Sequence, residues 1–418
     1  MARTRTSEPG KKAMRYAVPT AVVGVVAVSV GLVPALADNG DPELPGISAE
    51  ELVAKVAASE VDQFSGTVRV STDLGLPGLQ SGAADLLGDA VPSPSQGSGS
   101  ADPSEKLTEL ALGEHELEVA ADGPEKHRVS MGKGADEYVL VHNGDEVWAH
   151  DTAENAVFHA TAPEGSEDGD GGSEKNAPKG LEGLTPGEAA EQALDAVGET
   201  TAVTVDGTTR IAGRDAYELS LAPKNAPDST VEAMRIAVDA ENGAPLRFTL
   251  AAAEGGKPVV EIGFTKIDFG KPTAGTFDFT LPKDAKVTEA EEWDGEKNNG
   301  KGAGEDSGKD SRGLPDLGAL RGLPGVGALG SGGEPEVRGK GWNSVLTVKG
   351  EGASDAGSGP DADRAGGLLD AYSEKAEGDF GTGRVFSTRV VNVLLTDDGE
   401  VYAGALTKEG LIKAADAG

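Results

Sequence analysis

The sequence predicts a mostly antiparallel β fold with a few helices, an α+β class, and three observations predict it. Short runs of period-two alternation recur along the chain, each bounded by turn residues. Two of the turns carry Asn-Gly, at Asn143-Gly144 and Asn242-Gly243, the strongest two-residue hairpin signal. In the body of the chain only two segments pair helical spacing with a capping box, so helices are too few to alternate with strands as βαβ units require.

The elements follow in order. Arg3, Arg5, Lys11, Lys12 and Arg15 form a basic leader, Ala17 to Val33 is apolar and uncharged, and Ala35 to Ala37 reads Ala-Leu-Ala. That is the layout of an export signal over residues 1–37, with Asp38 as the new N-terminus after cleavage. The other reading is an uncleaved anchor, although the run lies near the lower limit of about 17 residues for a span and holds Pro19. Either way, the rest of the chain is expected outside the cytoplasm, secreted or associated with the cell envelope. The formal charge of the 418 residues is −34, and loss of five basic residues and Glu8 takes it to about −38. Such a charge repels nucleic acid and anionic membrane surfaces. There are no cysteines, which excludes disulfides, thiolate metal sites, a catalytic thiol and a lipidated cysteine.

Residues 38–289 read as one domain. Ser48 and Glu51 stand at capping-box spacing before Leu52, Val53, Val56 and Val61, which predicts a helix. Phe64, Val68 and Val70 alternate as a strand. Residues 76–106 mix Pro, Gly and Ser with Leu76, Leu79, Leu86 and Leu87, and are too long for a hairpin turn. Their second half reads as disordered. The first half is either a surface insertion or a flap carrying those leucines over a pocket. From His115 to Thr161 the pattern is a meander in which Leu117, Val119, Val129 and Met131 fall on strands. With Asn143-Gly144 as the loop, Val139 pairs with Trp148 and Leu140 with Val147. Tyr138, Leu140, Val147 and Ala149 then share one face, and Val139, Val141 and Trp148 the other. A solvated face should be mainly polar, so both faces need cover.

Residues 162–180 are an acidic, Gly-rich loop. Thr185, Pro186, Glu188 and Gly198 frame a second helix. Further strands run to the alternating Phe277 and Phe279. Residues 290–336 read as a disordered linker. Residues 337–418 return to order as a β/α module, with a helix expected over residues 365–376 between its strands. This module is either an appendage or the last strands of the main sheet.

The histidines do not make a metal site in this reading. His142 and His150 fall on opposite faces of their hairpin, and metal ligands must converge. They are expected to be solvated, turn-proximal side chains. The phosphate-loop lookalike at Gly295–Gly302 has Gly302 where Ser or Thr is needed, and Gly325–Gly330 lacks a βαβ setting. No nucleophile, base and orienting group stand together, so the chain is expected to be neither an enzyme nor a cofactor carrier.

Three stretches, Phe64–Val70, Leu140–Thr161 and Asp239–Val287, resemble the LolA/LolB lipoprotein-carrier superfamily, which includes mycobacterial exported lipid-binding proteins and RseB-like regulators. The strand–turn–Trp–strand unit, the acidic hairpin with Gly243, Pro245 and Leu246, and the closing Phe277-x-Phe279 carry the likeness over roughly Ile47 to Val287. The long loop after Leu74 and the C-terminal module depart from it. The resemblance implies a strongly curved half-barrel sheet lidded by helices around an apolar cavity. It implies a lipid or an acylated lipoprotein as ligand, or, for an RseB-like envelope sensor, an anti-sigma factor or other membrane partner. The candidate lining is Phe64, Val68, Leu117, Val119, Val129, Met131, Val139, Val141, Trp148 and Phe158, with the residue 76–106 loop as gate.

Overall fold

A computed structural model describes residues 41–75, 101–103, 106, 113–132, 137–161, 194, 198–290, 336–349 and 373–417. The leader, Leu76, Leu79, Leu86, Leu87, the acidic loop, and the linker between residues 291 and 335 lie outside them, as does most of the second expected helix.

Helix α1 (Ala49–Ala57) begins where the capping box places it. The Glu51 backbone N–H donates to Ser48 Oγ at 3.1 Å, and the Ser48 N–H donates to Glu51 Oε2 at 2.9 Å. Its fully buried Leu52 packs with Leu194, Val203, Leu219, Ile236 and Val238.

Twelve strands form one sheet. They are β1 (Gln63–Thr72), β2 (Gly113–Asp122), β3 (Lys126–Met131), β4 (Tyr138–Asn143), β5 (Glu146–Asp151), β6 (Ala156–Thr161), β7 (Thr201–Ile211), β8 (Arg214–Pro223), β9 (Val231–Asp239), β10 (Pro245–Ala252), β11 (Val260–Asp268) and β12 (Lys286–Ala290). The spatial order is β12-β6-β5-β4-β3-β2-β1-β11-β10-β9-β8-β7. Two meanders, β1–β6 and β7–β11, therefore meet where the first strand of one pairs with the last strand of the other. All pairings are antiparallel except β12 on β6. Irregularities at Thr67/Val68, Val205/Gly207, Pro245/Arg247 and Ala251/Ala252 interrupt the ladders. Bulges of this kind bend a strand and raise its twist, so the sheet curves without closing into a barrel. At the seam between the meanders, Gly66 is required sterically: a Cβ there would stand 2.3 Å from the Lys266 carbonyl oxygen.

The Tyr138–Asp151 hairpin differs from its expected register. Its loop is Gly144-Asp145, so Val141 pairs with Trp148 and Leu140 with Ala149. Of the two loop residues only Gly144 has positive φ, +64°, which suits a turn with Gly first. Asn143 stays in the ladder, where its side chain donates to the Phe277 carbonyl at 3.3 Å. A partner shift of two residues preserves the faces, so Tyr138, Leu140, Val147 and Ala149 share one side as expected.

A second sheet holds β13 (Glu336–Arg338), β14 (Val345–Lys349), β15 (Ser373–Gly378), β16 (Gly381–Ser387), β17 (Asn392–Thr396) and β18 (Glu400–Gly404), in the order β13-β14-β18-β17-β16-β15. Among the described residues these strands do not continue the first sheet. Ser373–Ala376, expected to be helical, belong to β15, because pairing with Gly383–Phe386 overrides their helical preference. Residues 365–372, the rest of that expected helix, lie outside the described residues; a helix of this module among the described residues is α2 (Lys408–Asp416), capped by Thr407 and packed through Leu411 and Ala415 on Val345, Val385, Leu394 and Tyr402. The two sheets meet over Val231, Ala252, Val259 and Val390, with Trp342 against them. Thr230 and Thr407 add backbone bonds across the junction, to Ala405 and Asp228. Arg389 crosses it to Asp73, Glu254 and the carbonyls of Gly255 and Lys257.

Candidate functional site

The pairing register carries one face continuously from β8 to β6. Leu219 stands opposite Ile236, Ile236 opposite Phe248, Phe248 opposite Ile262, and Ile262 opposite Val70. Next along β1, Val68 faces Leu117, Leu117 faces Met131, and Met131 faces Tyr138. A parallel row runs Val119, Val129, Leu140, Ala149, Phe158. Side chains alternate across a pleated strand, so these residues share a side.

This face is covered at both ends. Helix α1 and Leu194 lie over β7–β9. At the other end Ala101 is buried against Tyr138, Val147, Ala149, Phe158 and Ala160. There the Tyr138 hydroxyl donates to the Ala101 carbonyl at 3.0 Å, and Lys106 lies over the Tyr138 ring and 3.2 Å from Asp151. Between the covered ends, Phe64, Val68, Val70, Leu117, Val119, Val129, Met131 and Phe248 are only half-buried, and Ile262 is 41% exposed. Phe64 meets Phe264 edge to face, with ring centroids 5.9 Å apart.

Seven of the ten candidate lining residues thus fall on this face: Phe64, Val68, Leu117, Val119, Val129, Met131 and Phe158, the last in the covered end. The other three do not. Val139 and Val141 lie on the opposite face, buried with Ala120 under Phe277. Trp148 is stacked there between His159, at 3.7 Å between centroids, and Phe279, at 5.0 Å. The closing Phe-x-Phe segment, a single 3-10 turn at Ala274–Phe277 followed by extended chain, covers this side of the hairpin. The two-sided apolarity of Tyr138–Asp151 therefore has two different covers. Sequence reasoning missed Val70, Phe248, Ile262 and Phe264, because nothing local shows that β1 pairs with β11.

Two clefts flank the face. One, of about 510 Å³, runs past Met131 and Tyr138 to Glu114, Glu116 and Glu137. Another, of about 410 Å³, is lined by Thr67, Glu118, Arg128 and Lys266, and lies mainly on the opposite side at the β1–β11 seam.

The histidines fall into two groups. His159 on β6 is bound by Glu146 of β5 through Nε2, and by Glu289 of β12 through Nδ1 at 2.5 Å. Burial opposes its charge, but the two carboxylates outweigh burial and hold its pKa above the ordinary value. It is therefore an ion-pair centre rather than a solvated turn residue. His150 packs edge-on against Phe279, and its Nε2 is buried without a hydrogen-bond partner. His127 and His142 stack as a cross-strand pair on the apolar face, with Nδ1 atoms 3.4 Å apart. Partial desolvation of its ring, and then the neighbouring His142, hold the pKa of the otherwise exposed His127 below its ordinary value. Among the described residues no three or more His, Asp or Glu side chains converge as a metal site.

The fold and this face together define a curved antiparallel sheet with helical cover and an apolar strip left half open. No family model and no curated protein matches the chain. Among solved structures, the chain is similar to the complex of MucA and MucB from Pseudomonas aeruginosa, at 13% identity and TM-score 0.36, covering 88% of this chain and 96% of that one. It is similar to LprF from Mycobacterium bovis at 11% identity and TM-score 0.25, covering 57% of this chain and 97% of that one. It is also similar to a LolA-superfamily protein from Nitrosomonas europaea at 12% identity and TM-score 0.20, covering 56% and 99%. At these scores the likenesses say nothing of what this chain binds. No helix of the described residues is long and apolar enough to cross a membrane.

Proposed function

We propose that the protein is a non-catalytic, extracytoplasmic binder of acyl chains, those of a lipid or of an acylated lipoprotein. The observation that carries this reading is the apolar strip of Val68, Val70, Leu117, Val119, Met131 and Ile262, continuous across four strands and half open between two covered ends. An apolar strip of this kind on a soluble domain is a docking surface. Burying methylenes contributes about 0.8 kcal/mol each, so a chain of about 16 carbons buried along half its length gains about 6 kcal/mol. No special polar residue is needed for that. The basic, apolar and Ala-Leu-Ala sequence of residues 1–37 supports export, and the high negative charge leaves nucleic acid as an unfavoured partner.

The test is displacement of a fluorescent fatty acid from the full chain. The expected result is saturable binding that Val68→Asp and Ile262→Asp each weaken at least about tenfold, since a carboxylate on the strip must be desolvated by a bound chain. Ile262 is exposed enough that its substitution should leave the fold intact. Binding that survives both substitutions in folded protein refutes the placement, and a wild-type chain that binds no acyl probe refutes the function.

A further inference from the structure

We infer that His127 and His142 form a zinc-binding pair, a site independent of the acyl-binding reading. The two residues are directly opposite one another on β3 and β4. Their rings are nearly parallel, 17° apart with centroids at 5.7 Å, and their Nδ1 atoms approach to 3.4 Å. Zinc takes imidazole nitrogen at about 2.0–2.1 Å in tetrahedral geometry, which sets two ligating nitrogens about 3.3–3.4 Å apart. The observed spacing matches that bite. Tetragonal copper sets neighbouring nitrogens at right angles, about 2.8 Å apart, and fits less well. His127 is exposed and His142 half-buried, so water has access to complete the coordination.

The protonation chemistry also suits a metal. A metal takes both rings as neutral imidazoles, each through the lone pair of its Nδ1. Without metal, one Nδ1–H donates to the other Nδ1. On binding, the proton of the donor ring moves through solvent to its own Nε2, and both Nδ1 lone pairs turn to the ion with no net proton released. The backbone holds the pair in place: β3 and β4 are laddered from Lys126/Asn143 to Met131/Tyr138, and the Gly144 N–H donates to the Glu125 carbonyl at 2.9 Å beside it. The sequence places His142 and His150 on opposite faces of their hairpin, and no metal site is expected from them. The partner is His127, one strand earlier.

The experiment is calorimetric titration of the full chain with zinc in excess magnesium, which occupies the many carboxylates. Wild-type protein should show one zinc site, and His127→Gln and His142→Gln should each weaken it at least about tenfold while far-UV circular dichroism stays unchanged. His159→Gln serves as the control and should leave the site intact, because that ring is committed to Glu146 and Glu289. The inference is overturned if the wild-type chain binds no zinc under these conditions, or if the His127→Gln/His142→Gln double variant binds as the wild type does.

Discussion

Replacing Arg389 with Ala should loosen the junction between the two sheets, and its size can be worked from the contacts. The side chain is only 11% exposed. Its Nε donates to Glu254 at 2.8 Å, and Nη2 donates to the carbonyls of Gly255 and Lys257 at 2.7 and 2.8 Å. Nη1 reaches Asp73 Oδ2 at 3.4 Å, and the Arg389 N–H donates to the Leu74 carbonyl at 3.0 Å, a bond the substitution keeps. Hydrogen bonds from a charged donor contribute about 1.5–3 kcal/mol each. Glu254 is 61% exposed, so its pairing is discounted toward the surface value of about 0–1 kcal/mol. The two carbonyl bonds then dominate, and water reaching the loop replaces part of them, leaving a cost of about 2–4 kcal/mol. The assay is urea denaturation in a Trp148→Phe/Trp293→Phe background, which leaves Trp342 as the one tryptophan, followed by fluorescence and by far-UV circular dichroism. Trp342 reports the junction, because its indole N–H donates to Thr201 across it at 2.9 Å. The parent should unfold in one transition. Arg389→Ala should lower the midpoint and separate the two probes. Arg389→Lys should recover less than half the loss, since an ammonium cannot span the same fork. A midpoint and cooperativity unchanged by Arg389→Ala would refute the reasoning.

Two further outcomes follow from the same structure. The His159 clasp holds the short parallel strand β12 on β6, and its pKa is raised on folding, so its contribution is fully present below the ordinary value of 6.5 and is lost as pH rises through the folded value. His159→Gln should therefore remove stability at pH 6 and little above the folded pKa, read as the denaturation midpoint against pH; an equal loss at all pH values contradicts the assignment. Phe277→Ala should cost about 3–5 kcal/mol, because the ring is 2% exposed over Val139 and Val141, and a loss below about 1 kcal/mol would mean that this segment is not the cover of that face.

What was legible in the sequence was local. The α1 capping box, the alternation of the first meander and the two-sided apolarity of Tyr138–Asp151 depend on neighbours within a few residues. What was not legible was long-range or sterically imposed. The Val68–Phe264 and Val70–Ile262 pairs join residues nearly two hundred positions apart, so the part of the strip beyond β1, with Phe248, Ile262 and Phe264, could not be seen. The hairpin register slipped because Asn143 is held in the ladder by Phe277, a partner far along the chain. Helix α2 has Gly410, a poor helix former, in its first turn, which obscures the pattern. Its place is explained only by packing, since a Cβ there would lie 2.9 Å from Asp228 Cβ. Val139, Val141 and Trp148 are apolar and alternate as lining residues would, and only the position of Phe277 and Phe279 identifies them as core.

The most direct test of an acyl-binding face is native mass spectrometry of the full chain, purified without detergent and incubated with phospholipid vesicles. The account predicts adducts with acyl-lipid masses on the wild-type chain, lost in Val68→Asp and Ile262→Asp. A wild-type chain that carries no such adduct, or variants that carry it undiminished, would contradict it.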